Sequence, residues 1–341
     1  MTDTPLVSVV MSVYNGENYL EKSIESILYQ TFRNFEFIII NDGSTDSTGA
    51  ILTRYQKIDK RIFVFNQENQ GVIASLNRGC HLSKGKYIAR MDADDISLPE
   101  RLQKQVEYME LHPEIDFLGT SMELIDQNRI PLKKLCLPTM PGLIRWCLLF
   151  ENCMSHASVM MRRSIIEKVG LYHIEAQHAE DYDLWTRASF KTKLANLPEV
   201  LLCHRIGVNN ITSRYFPEQE QAVIKVMHSS ISQTLNKEIP IKTIISLHQM
   251  VRENFLNDFH QIQEVYKLIE NLYRSYLKLV SLNSIEAKAV ALDAAKKILI
   301  LTVSAARLFK WKALWLFIRA IKLNPKVLLP EYISRGIRKL I

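Results

Sequence analysis

VSVVMSV at residues 7–13, FEFIIIND at 35–42 and YIARMDADD at 87–95 decide how this chain folds. Each is a short apolar run that stops abruptly at polar residues. Apolar runs without alternation suit strands covered on both faces, as in a parallel sheet. Working outward from them, strands are expected at 6–13, 35–40, 62–65, 87–91 and 117–122. Helical spacing fills the gaps. Leu20, Ile24, Ile27 and Leu28 share a face within 19–29, and 45–55 and 72–82 also read as helical. Pro99 is read as the first residue of a helix reaching His112. Alternating strands and helices predict an α/β fold with a mostly parallel central sheet, covered by helices and joined by right-handed crossovers.

At 341 residues and 47% apolar composition the chain can build about two domains. From about Pro217 the texture changes: apolar residues recur every three to four positions and strand signals vanish. The expected division is an α/β domain at 1–215 and an α-helical region at 216–341. No uncharged apolar run approaches the roughly 18 residues of a membrane span, and Met1–Pro5 does not read as a secretion signal. The five cysteines, Cys80, Cys136, Cys147, Cys153 and Cys203, form no CxxC pair. Reduced thiols and a cytoplasmic location follow as expectations.

The net charge of +7 is uneven, since residues 284–341 hold 12 Lys and Arg against 3 Asp and Glu. The rest of the chain is close to neutral and offers no basic stripe, so a nucleic-acid partner is not expected. On a helical projection Phe309, Ala313, Leu316, Ala320 and Leu323 form one face, and Trp311, Lys312, Trp315, Arg319 and Lys322 lie opposite. Indoles mixed with cations suit an anionic membrane surface, so the tail is expected to dock peripherally on the inner face of the plasma membrane. A solvated face packed partly on the α/β domain is the other reading. A homodimer through the helical region is compatible with the sequence.

Ligands of open parallel sheets bind beyond the carboxyl ends of strands. Three such ends carry unusual polar residues: Ser12 to Glu17, Asn41 to Ser44, and Asp92 to Asp95. Asp92, Asp94 and Asp95 place three carboxylates in four residues, where mutual repulsion and burial both disfavour charge. A divalent cation, Mg²⁺ or Mn²⁺, bridging to substrate phosphates would compensate. A solvated acidic turn capping the next helix is the alternative. Farther on, Asp181 lies beside Glu180 and Asp183, neighbours that could raise its pKa. It could also serve as a helix cap.

These motifs together resemble the family-2 glycosyltransferases of the GT-A fold. The resemblance runs from VSVVMSVYNGENYL and FEFIIINDGSTDST through Asn77-Arg78-Gly79, Gly85-Lys86-Tyr87-Ile88 and Arg90 to Asp95. It continues with His156-Ala157-Ser158, Gly170-Leu171-Tyr172 and Glu180 to Trp185, covering about residues 6–213. It implies an inverting transferase of the bacterial surface-polysaccharide type, moving a sugar from a nucleotide-sugar donor, uridine-based, to a glycan or lipid-linked acceptor.

By that resemblance Tyr14 lies along the base with Val13 and Glu17 nearby, and Asp42 accepts a hydrogen bond from the base. Asn77 and Asp92 contact the nucleotide sugar, Asp92 and Asp94 hold the metal, and Asp181 is the base. His156, Glu180 and Arg205 are candidates on the acceptor and leaving-group side. This chain departs from the family pattern at Asn41, Leu76 and Gly207. These departures leave room for a catalytically silent sugar-nucleotide-binding or scaffold protein. A dehydrogenase is disfavoured because the loop after the first strand has no GxGxxG. The Gln-x-x-Arg-Trp pattern of processive synthases is absent as well.

Overall fold

The computed structural model describes residues 4–207, 215–252, 254–308 and 310–329. They form two compact units, one from residues up to Pro141 and from Asn152 to Ala222, the other from Gly142–Glu151 and from Val223 onward.

The first unit is built on one nine-stranded sheet. Strands β1 (Val7–Val13), β2 (Phe35–Asp42), β3 (Ile62–Gln67) and β4 (Tyr87–Asp92) lie in the order β3-β2-β1-β4, all parallel. The apolar runs are continuous because both faces are covered: Val9, Phe37 and Ala89 on one face and Val10, Ile38 and Ile88 on the other are all buried. Between these strands run α1 (Leu20–Leu28), α2 (Thr48–Ile58) and α3 (Gly71–Leu82). Packing of α3 on β1 depends on Gly79, where a Cβ would fall 2.5 Å from Val10 Cγ1.

The other half of the sheet is mixed. After β5 (Ile96–Ser97) and α4 (Arg101–Leu111) come β6 (Ile115–Ile125) and β7 (Pro131–Leu135), then α5 (Pro141–Cys147). Later come β8 (Met160–Arg162), α6 (Ile165–Val169), α7 (Glu180–Ser189) and β9 (Lys193–Arg205). Strand β8 is antiparallel to both β4 and β6, while β9 runs parallel to β6 and antiparallel to β5. Pro99 stands before α4 rather than inside its first turn, and its carbonyl accepts the Thr31 N–H at 2.8 Å.

Strand β9 carries a bulge, because the register steps from Thr120↔Leu197 to Ser121↔Val200 and leaves Pro198 and Glu199 out. Proline has no N–H for the ladder, so the strand bends there. Beyond the bend Leu202 and Cys203 pair with β5. That pairing delivers His204 and Arg205 to the loop containing Asp94 and Asp95.

The second unit is helical: most of α8 (Phe216–Leu235), then α9 (Ile241–Val251), α10 (Phe259–Leu279), α11 (Ser284–Leu308) and α12 (Lys310–Leu323). Its core takes in the excursion 142–151, which the sequence reading left within the first domain. The reason is Trp146, fully buried, whose Nε1–H donates to Asp293 Oδ2 at 2.6 Å and whose ring meets Tyr276 edge-on at 5.3 Å. Lys297 Nζ bonds the same Asp293 oxygen at 2.6 Å, and Glu286 Oε1 accepts the Gly142 N–H at 2.8 Å. The start of the basic tail is therefore a core helix of this unit rather than an appendage. Phe309 and residues 330–341, also assigned to that tail, lie outside the described residues.

Candidate active site

Register brings the polar strand ends together. Ser12 lies opposite both Ile40 and Asp92, and Val13 lies opposite Asn41. The β1, β2 and β4 loops thus open on one edge of the sheet. The first two are laced to each other. Asn15, at φ +52°, donates its N–H to Ser44 Oγ at 3.0 Å and accepts the Thr45 N–H at 2.8 Å. Gly43, at φ +75°, makes the turn after β2, where a Cβ would lie 2.8 Å from the Asn69 backbone nitrogen.

On this frame Tyr14 is 53% exposed, a bare phenol ring at the rim, while Val13 is buried. Glu17 has a duty the sequence did not suggest: its carboxylate accepts the Ser47 N–H at 2.9 Å at the start of α2. Asp42 is buried and bonded to Gln67 Nε2 at 2.7 Å and to the N–H groups of Gln70 and Gly71 at 2.9 Å. Those bonds cap α3 and leave one acceptor lobe of the carboxylate. Asn77 exchanges both ends of its amide with the Tyr172 backbone, at 2.9 and 3.1 Å.

The acidic loop after β4 separates three roles. Asp95 is fully buried, held by His204 Nδ1 at 3.0 Å and the Arg205 N–H at 2.8 Å. Asp92 pairs with Arg90 Nη2 at 2.6 Å. Burial is the largest single influence and favours the neutral form. The charge and hydrogen bond of Arg90, joined by the fields of His156 and His204, together hold the carboxyl below its ordinary pKa. Asp94 has no such partner, and burial, with Asp95 and Asp92 nearby, pushes it up to about 7.

Among the described residues no three His, Cys, Asp or Glu side chains are grouped to hold a metal ion by themselves. Asp95 is already spent on His204 and Arg205. Asp92 and Asp94 together present hard oxygens and an uncompensated negative charge. Two carboxylates completed by donor phosphates are a set that fits Mg²⁺ or Mn²⁺.

Arg205, expected near the leaving group, is placed otherwise. It is 3% exposed, with Nε on the Asp94 carbonyl at 2.8 Å and Nη1 on the carbonyls of Asp126 and Gln127 at 2.9 Å. Its guanidinium also covers the Tyr19 ring at 4.3 Å. A buried fork fixed on carbonyls clamps the acidic loop. His204 is the partly exposed cation beside the acidic loop. Burial opposes its charge, yet the bond to Asp95 and the fields of Asp92 and Asp94 raise it to about 9, so it is cationic at neutral pH. Sequence reasoning gave His204 no role, because 109 residues separate it from Asp95.

The acceptor side is assembled around the N-terminus of α7. Asp181 accepts the Tyr182 N–H and Asn152 Nδ2–H, each at 2.7 Å. Burial first, then Glu180 beside it, lift its carboxyl to about 7. Glu180 is raised by burial, and its Oε2 is buried with no hydrogen-bond partner. Both carboxyls feel the charge of Asp92, which joins the two halves of the site electrostatically. His156 bonds the Tyr172 hydroxyl at 3.0 Å, and burial, aided by Arg90, lowers it to about 3. It is therefore neutral.

A parallel half-sheet with an acidic strand end, joined to a mixed half that presents a raised carboxylate, is the arrangement expected of a GT-A glycosyltransferase. Comparison with known proteins narrows the class. The Glycosyl transferase family 2 profile matches residues 8–170. A glycosyltransferase of Haemophilus influenzae is 35% identical over 294 residues, covering 82% of this chain and 88% of that protein. The chain belongs to glycosyl transferase family 2. The O-antigen biosynthesis glycosyltransferase WbnJ of Escherichia coli is 37% identical over 59% of this chain and 80% of its own length, so the relatives include enzymes of polysaccharide biosynthesis.

Among solved structures, residues 1–349 of S. aureus TarS with UDP-GlcNAc align with a TM-score of 0.54 at 16% identity, covering 94% of this chain and 90% of that one. A mannosyltransferase of Pyrobaculum calidifontis, with GDP-Man and Mn²⁺, aligns at 0.52 and 15%, over 96% and 88%. At that identity they share the fold.

Proposed function

We propose that this glycosyltransferase moves one sugar, with inversion, from a uridine diphosphate donor to a hydroxyl of a glycan or lipid-linked acceptor of surface polysaccharide. The observation that carries the reading is Asp181: a carboxylate lifted to about 7, within the field of Asp92, next to a buried oxygen of Glu180 that lacks a partner.

In this reading Tyr14 lies along the base, with Val13 nearby, and the free lobe of Asp42 takes the base N–H. Glu17 and Asn77 act by holding the loops that shape this pocket. Asp181 accepts the proton of the acceptor hydroxyl, whose oxygen attacks the anomeric carbon from the face opposite the diphosphate. The bond to the diphosphate breaks and its electron pair leaves with the phosphate oxygen. A base near pH 7 combines an ionised ground state with a useful proton affinity. Glu180 Oε2 receives a second hydroxyl of the acceptor, and His156, being neutral, orients Tyr172. His204 contributes positive charge where the diphosphate charge grows. Asp92 and Asp94 would hold Mg²⁺ or Mn²⁺, which offsets phosphate charge when bound.

The test is a panel of nucleotide sugars with Mn²⁺ or Mg²⁺, scored by released nucleoside diphosphate and run beside Asp94→Ala and Asp181→Asn. Release from one donor, lost in both variants, supports the reading. Donor binding without release under every acceptor tried would favour a silent binder.

A further inference from the structure

Helix α12 carries two apolar stripes: the fold buries one, and covers the other only where the Trp315 ring meets Tyr266 edge-on at 4.8 Å. Ala313, Leu316 and Ala320 are buried, as a core face requires. Trp311, Leu314, Trp315 and Ile318 follow the same helical spacing on the opposite side and are 85, 49, 43 and 44% exposed. Single exposed apolar residues are ordinary, whereas a stripe with two indoles marks an interaction surface.

The charge around this stripe has one sign. Residues 310–329 contain five Lys and Arg and no Asp or Glu. Arg319 and Lys322 flank the stripe and are exposed, and the Arg319 guanidinium lies 5.3 Å from the Trp315 ring. Behind them is a depression of about 160 Å³, lined by Tyr266, Tyr273, Glu270, Arg319 and Lys322 among others. Its one acid, Glu270, is bound to Arg274 at 2.9 Å. The depression is thus walled by phenol rings and open to an anion.

We propose that this face docks on an anionic lipid bilayer. The indoles and Leu314 enter the boundary between headgroups and acyl chains, where rings with an apolar body and a polar N–H are stable. Arg319 and Lys322 meet lipid phosphates, with the depression receiving a headgroup. The complement is a lipid surface rather than a second copy of the chain. A twofold contact would oppose two cationic rims with no acid on this segment to answer them. No helix among the described residues is long and apolar enough to cross a membrane, so docking through α12 is a surface attachment. It stands independently of which donor and acceptor the enzyme uses.

Sedimentation of the full chain with vesicles of phosphatidylglycerol or of phosphatidylcholine tests this. The wild type should pellet with the first and not the second, and high salt should release it. Trp311→Glu/Leu314→Glu and Arg319→Gln/Lys322→Gln should each lower the bound fraction by about tenfold or more, with circular dichroism melts unchanged. A second readout needs no variant. Of four tryptophans, Trp146 and Trp185 are fully buried, so brominated phosphatidylglycerol should quench only the emission of Trp311 and Trp315. Absence of quenching, equal pelleting of variants and wild type, or a vesicle-free dimer that Trp311→Glu/Leu314→Glu dissolves would each overturn the proposal.

Discussion

Asn152 Nδ2 donates to Asp181 Oδ2 across 2.7 Å, from a loop 29 residues earlier in the chain. The bond favours the charged carboxylate, against burial and Glu180, which favour the neutral acid. Asp181 must be ionised to take a proton, so kcat should rise with pH through about 7 and level off above it. Asp181→Asn should lower kcat roughly 10²- to 10⁴-fold. Asn152→Ala removes a donor to the carboxylate, so the acid limb should move to higher pH while the plateau is largely kept. A lower plateau on an unmoved limb would make Asn152 merely structural.

Asp94 should be the carboxylate most sensitive to the divalent ion. Arg90 already neutralises Asp92 and His204 neutralises Asp95, while Asp94 has neither. Treatment with EDTA should abolish nucleotide release, and added Mn²⁺ should restore it in the wild type. Asp94→Asn should stay inactive under the same Mn²⁺ titration. Full rescue of Asp94→Asn by the ion would remove Asp94 from the ligand set.

The His204–Asp95 pair makes a separate statement about stability. His204 is raised in the folded protein from an ordinary 6.5 to about 9. A raised cationic group stabilises fully below its unfolded pKa and loses that contribution as pH rises through the folded one. Melting temperature should therefore fall between about pH 6.5 and 9. His204→Gln should flatten that window and cost about 2 kcal/mol at pH 6, less than a wholly buried pair because His204 is one-third exposed. A His204→Gln profile parallel to the wild type would show that another group governs the slope.

What was legible in the sequence follows from which interactions are local. β1, β2 and β4 were readable because burial on both faces leaves only apolar residues, and Asp92 and Asp94 because clustered carboxylates are conspicuous at a strand end. β9 was not, since Pro198 and Glu199 interrupt it and only the bulge against β6 accommodates them. Segment 142–151 was assigned to the first domain because an apolar stretch does not announce which core will take its Trp146. Asn77 and Arg205 read as ligand contacts, yet their polar atoms are committed to backbone carbonyls and amides far away in sequence. His204 and Asn152 gained roles only from long-range pairing.

That dependence on distant partners sets the last prediction, in the helical unit. Asp293 accepts from Trp146 Nε1 and from Lys297 Nζ at the same oxygen, 2.6 Å from each. Lys297 is 5% exposed, and although burial opposes its charge, Asp293 holds its pKa above the ordinary value. Removing the acid strands a buried cation, so Asp293→Ala should cost about 3–5 kcal/mol in chemical denaturation. Removing both charges is a different perturbation, because no unpaired ion remains. Asp293→Leu/Lys297→Met should therefore be more stable than Asp293→Ala, with the residual loss set by the Trp146 N–H left without its acceptor. If the double variant were as unstable as the single one, the cost would lie in packing around Trp146 rather than in the buried charge.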